Sequence, residues 1–153
     1  MILKVGEKKM YNLVLVSGGF DPIHSGHIKL IEEASKHGNI VVLLNSDKWL
    51  QNKKGKAFLP FEERKIIMKA LKNVIDVMSC GEVDTTCIDG IEKVIKKYPN
   101  HKIKFANGGD RNDKSTPESI FCENNEIELL WGIGGENKSN SSSWILKKWK
   151  ENN

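Results

Sequence analysis

The sequence predicts a doubly wound α/β domain, a parallel sheet with helices on both faces. Two observations carry that prediction. Short apolar runs alternate with amphipathic helical stretches along the whole chain, as right-handed strand–helix–strand crossovers require. A turn rich in glycine and histidine, Gly18-Gly19-Phe20-Asp21-Pro22-Ile23-His24-Ser25-Gly26-His27, joins the first apolar run to the first helical one. At 153 residues the chain has the length of one domain. Residues 1–10 fit the alternation poorly and read as a lead-in or edge strand, leaving 11–153 as the domain.

The first strand is expected near 12–17, around Leu13-Val14-Leu15-Val16, with a helix over 25–37 that places Ile28, Leu30, Ile31 and Ala34 on one face. A strand near 40–45 ends in Asn45-Ser46-Asp47, followed by a lysine-rich loop, Lys53-Lys54-Gly55-Lys56. A helix near 61–72, a strand near 74–78 and a helix near 86–98 come next. The last of these is the clearest, because Ile88, Ile91, Val94, Ile95 and Tyr98 form a continuous apolar stripe. A strand near 102–106 runs into Asn107-Gly108-Gly109-Asp110-Arg111, then come a helix near 116–124, a strand near 126–131 and a helix near 141–151. Trp131, Trp144 and Trp149 read as core or interface aromatics.

The net charge of +4 comes almost wholly from lysine, since Arg64 and Arg111 are the two arginines. So modest an excess suits a phosphate-bearing small ligand and gives no concentrated basic face for nucleic acid. Cys80, Cys87 and Cys122 are odd in number and lack metal-ligand spacing, so they read as reduced thiols. No apolar run reaches the length of a membrane span, and the opening residues are too polar for a signal peptide, so the location expected is cytoplasmic.

The glycine–histidine turn is where chemistry is expected. A strand-to-helix turn presents unsatisfied N–H groups and the positive end of the helix dipole to an anion. Two of the four histidines sit there, three residues apart, and can reach one side of that anion. Gly26 lies between them, where a ligand must come close. As an ordinary helix start the same turn would be capped by Asp21 or Ser25, with Pro22 in its first turn. The strand ends at 45 and 107 lie on the same rim, where α/β sheets bind ligands.

These segments together resemble the HxGH nucleotidyltransferase superfamily, the cytidylyltransferase-like proteins, nearest the glycerol-3-phosphate cytidylyltransferase and heptose-phosphate adenylyltransferase branches. The resemblance rests on Gly19 to His27, Asn45-Ser46-Asp47, Gly108-Gly109-Asp110 and Ser141-Ser142-Ser143. It implies a Rossmann-like nucleotidyltransferase fold, and transfer of a nucleotidyl group, CMP from CTP favoured, to a phosphorylated small molecule with release of pyrophosphate. ATP as donor, or a non-catalytic nucleotide-binding module, are the alternatives. It implies catalytic roles for His24, His27, Lys53 and Lys56, and acceptor contacts for Lys54 and Arg64. Nucleotide contacts would come from Gly18, Gly19, Phe20, Asp21, Gly26, Asp110, Arg111, Lys138, Ser141, Ser142 and Ser143. Lys138 or Arg111 would stand in for an arginine that relatives often carry just before the serines. Mg²⁺ would arrive with the triphosphate, with no protein side chain assigned to it, and a homodimer is a form relatives often take.

Overall fold

The computed structural model describes residues 12–108, 114–134 and 141–152. Among these residues, five parallel strands form one sheet: β1 (Asn12–Gly18), β2 (Asn39–Asn45), β3 (Val74–Cys80), β4 (Lys102–Gly108) and β5 (Glu128–Ile133), in the order β3-β2-β1-β4-β5. Among the described residues, six helices connect or follow them: α1 (Ser25–Ser35), α2 (Asp47–Lys54), α3 (Phe61–Lys69), α4 (Ile88–Lys97), α5 (Pro117–Asn124) and α6 (Ser142–Glu151). The sheet grows outward from β1 through β2 to β3, then from the other side of β1 through β4 to β5. The order therefore reverses between β1 and β4, and the predicted doubly wound sheet is the one observed.

The central strands are apolar without alternation because both their faces are covered. Leu13, Leu15, Val41 and Leu43 point into a cluster closed by Ile91 and Val94 of α4 and Cys122 of α5. Val14, Val16, Val42 and Leu44 point the other way, against Ile31 and Ala34 of α1 and Met68 of α3. No helix among the described residues is long and apolar enough to cross a membrane. The three cysteines are buried and free. Burial pushes their thiols up, Cys87 and Cys122 to about 12, so they stay protonated packing groups.

Two expectations fail here. The lysine loop is in fact mostly helix. Ser46 caps α2 by accepting the Trp49 N–H, Asp47 stands in the first turn, and Gly55 ends the helix at φ +88°. Lys53 and Lys54 are thus the last turn of α2, and Lys56 follows it. Of the core-or-interface reading of Trp144 and Trp149, the core half fails: they are 55% and 58% exposed on α6.

Candidate active site

The glycine–histidine turn runs from the carboxyl end of β1, at the strand-order reversal, into α1. His24, and neither Asp21 nor Ser25, is the N-cap, and Pro22 lies outside the helix behind a cis peptide bond. The Gly26 N–H donates to His24 Nδ1 at 3.0 Å, and the His24 N–H donates to His27 Nδ1 at 3.2 Å. This is a capping box built from two imidazoles in place of the usual hydroxyl and carboxylate. Its chemical consequence is a tautomer. A ring nitrogen that accepts an N–H carries no proton, so the neutral ring carries its proton on Nε2. Both histidines therefore hold an Nε2–H donor on the side of the ring away from the backbone.

The two rings stack at 3.8 Å between centroids, and Phe20 lies 4.8 Å from His27. Burial, then the neighbouring His24 and the charge of Lys54, push the His27 pKa down to about 3. His27 is a neutral donor at physiological pH. The group charges more readily in the unfolded chain, near 6.5, so folding stability from this source falls as pH drops from about 6.5 towards 3. The expected NMR titration of the His27 ring is flat between pH 5 and 8. An inflection near 6.5 would contradict the neutral donor.

Four neighbouring segments are fastened to this turn. Asp21 is buried, and its two carboxylate oxygens accept the N–H groups of Phe58 and Leu59 at 2.6 and 2.7 Å. Ser142, at the start of α6, donates its hydroxyl to the Pro22 carbonyl at 2.8 Å. Leu50 of α2 packs so closely on Gly19 that a Cβ there would come within 2.9 Å of it. Arg64 of α3 gathers the remainder. Its guanidinium donates to the carbonyls of Leu59, Gly19 and Asn45 and pairs with Asp47 at 2.7 Å.

The structure therefore brings His24, His27, Gly18, Gly19, Lys54 and the serine start of α6 to one rim. Ser141 caps α6 through the Trp144 N–H, Ser142 is buried against Pro22, and Ser143 is exposed. It does not place Arg64 as an acceptor ligand. That side chain is fully buried and satisfied by main-chain carbonyls and Asp47. Phe20 is likewise 3% exposed and walls His27 instead of facing a nucleotide. Asp21 is committed to the 58–59 backbone. Asp110, Arg111 and Lys138 lie outside the described residues. Sequence reasoning also missed Asp47 as the partner of Arg64, although its place after a strand end was visible.

Residues 15–132 match the cytidylyltransferase-like family. The chain belongs to that family. Among cytidylyltransferase-like relatives, the bifunctional protein HldE of Syntrophotalea carbinolica is 28% identical over 98% of this chain and 30% of its own length. The glycerol-3-phosphate cytidylyltransferase of Bacillus subtilis is 38% identical over 42% of this chain and 51% of its own length. The chain thus spans about a third to a half of the curated relatives it matches. A solved lipopolysaccharide core biosynthesis protein from Thermoplasma volcanium superposes with a TM-score of 0.61 at 20% identity, over 79% of this chain and 95% of that one, a likeness of fold.

Proposed function

We propose that this chain transfers a nucleotidyl group, CMP from CTP in the first instance, to a phosphorylated small molecule and releases pyrophosphate. A phosphate oxygen of the acceptor attacks the α-phosphorus of the triphosphate in line. The bond from that phosphorus to the bridging oxygen of the β-phosphate breaks, and pyrophosphate carries the electron pair away. A phosphate monoester is largely ionised near neutral pH, so the step needs alignment and charge stabilisation more than a base or a protein nucleophile. The observation that carries this reading is the double-histidine capping box. It presents two fixed Nε2–H donors at a helix N-terminus, beside Lys54 and the serine start of α6. Donors held in place before the reaction stabilise charge as it develops without reorganising.

Lys53, Lys54 and Lys56 have no ion-pair partner among the described residues, and they would neutralise the triphosphate and the acceptor phosphate. No group of three His, Cys, Asp or Glu among the described residues is arranged to hold a metal. Mg²⁺ would arrive with the triphosphate and offset its charge. CTP is favoured by the likeness to a glycerol-3-phosphate cytidylyltransferase.

The test is pyrophosphate release from each of the four common ribonucleoside triphosphates against a panel of phosphorylated alcohols, sugars and amino alcohols. Release with CTP and at least one phosphorylated acceptor is expected. Preference for ATP would change the donor and keep the reaction. Saturable nucleotide binding without pyrophosphate from any pair would replace the enzyme with a binding module.

A further inference from the structure

The outer edges of the sheet, β3 and β5, are finished differently. Along a strand the main-chain N–H and C=O groups turn to alternate sides, so an edge strand offers those of every second residue to solvent. On β3 side chains close them. The Asp76 carboxylate accepts the outward Val77 N–H at 2.9 Å, and the Lys93 ammonium donates to the outward Ser79 carbonyl at 3.1 Å. On β5 the Leu130 carbonyl faces β4, where the Asn107 amide reaches it at 3.3 Å. The Ile127 N–H, turned the other way, donates to the Cys122 carbonyl at 2.9 Å. Leu129 and Trp131 are in phase with Ile127, so their N–H and C=O groups point outward, and among the described residues no main-chain partner meets them. Nor does β5, Glu-Leu-Leu-Trp-Gly-Ile, carry the lysine or proline that commonly blunts an edge. Leu129, Leu130 and Trp131 are each half-buried.

We propose that β5 pairs antiparallel with β5 of a second copy of this chain, about a twofold axis through Leu130, so that two sheets become one. The strand is self-complementary in that register. A twofold axis normal to the sheet sets residues of the same face opposite each other. Leu129 then faces Trp131 of the second copy, and the two exchange both their N–H···O bonds. Glu128 faces Gly132, so no like charges meet. An axis at Leu129 would set the Glu128 carboxylate against a leucine and need the Ile127 N–H, which Cys122 already holds. An axis at Trp131 would pair residues beyond Gly132, whose φ of +70° breaks the strand. Leu129 packs on Phe121 and Cys122 of α5, and Trp131 lies on the same face, so each Leu–Trp pair carries that cluster across the axis. The carboxyl ends of the two β5 strands point in opposite directions. Neither copy therefore completes the other's histidine turn, and the pairing stands apart from the nucleotidyl-transfer reading.

Two measurements on the intact chain test this. In sedimentation velocity the chain runs as two copies at high concentration and as one on dilution, as a small interface does. Leu129→Lys and Trp131→Glu, made singly, each set a charge against an apolar partner and raise the dimer dissociation constant about tenfold or more. Made together, they oppose an ammonium to a carboxylate on either side of the axis and recover most of the association, which a misfolded chain would not do. Independently, amide exchange in the unaltered chain slows at Leu129 and Trp131 as concentration rises, while that of Val77, already bonded to Asp76, stays constant. A monomer at every concentration overturns the proposal, as does a dimer in which both amides exchange freely. So do single variants that associate like the unaltered chain, or a double variant that is folded by circular dichroism and stays monomeric. Protection of both amides in a monomer overturns it too, and would put another part of the same chain on the edge.

Discussion

Alanine at position 27 lowers kcat for pyrophosphate release by about 10²–10³-fold, the usual cost of losing one preorganised donor to developing charge. His27 has two jobs that can be separated. Its Nδ1 accepts the His24 N–H and closes the cap of α1, while its Nε2–H is the donor offered to a phosphate oxygen. An asparagine carboxamide reaches the Nδ1 position and has nothing at Nε2. A glutamine amide reaches the Nε2 position with an N–H. His27→Asn is therefore expected to match the wild type in urea melts and to turn over as slowly as the alanine variant. His27→Gln should melt lower and keep more turnover than His27→Asn. Near-normal turnover in His27→Ala, with folding intact by circular dichroism, would remove the role assigned here.

Much of this site was legible because a parallel sheet sends every strand's carboxyl end to one rim. Once alternation marks β1, β2 and β4, the turns at 18–27, 45–47 and 107–108 are neighbours by topology alone. The continuous apolar runs of β1 and β2 are legible for the same reason that they are buried on both faces. What the sequence hid follows from chemistry that leaves no period. In α2, the core is reached by Leu50 alone among eight residues, so no apolar stripe marks it, and its signals are the capping pair Ser46-Asp47 and the terminal Gly55. The His24 cap was hidden because imidazole is not among the usual capping side chains. The core alternative for Trp144 and Trp149 failed because aromatic rings are commonly buried, whereas α6 leaves both more than half exposed. Arg64 was recognisable as important but not as buried, since three of its partners are main-chain carbonyls, which any residue can supply.

That burial sets a large stability effect. Arg64→Met leaves three carbonyls and the Asp47 carboxylate without their donor, and breaking a buried charged network by one partner costs about 3–5 kcal/mol. For a chain of this size that is a fall of roughly 6–20 °C in Tm. Lysine at 64 should recover little, because a single ammonium lacks the planar fork that spans Leu59, Gly19, Asn45 and Asp47 together. Asp47→Asn should cost much less: the Asp47 side chain is 42% exposed, so water replaces part of what is lost. The same comparison separates a fastener from a ligand. Arg64 holds the Gly19 end of the histidine turn to the Asn45 end of β2, so its loss should lower kcat and raise KM for donor and acceptor alike in the fraction that remains folded. An arginine that gripped the acceptor would instead raise the acceptor KM alone and leave the melting temperature where it was.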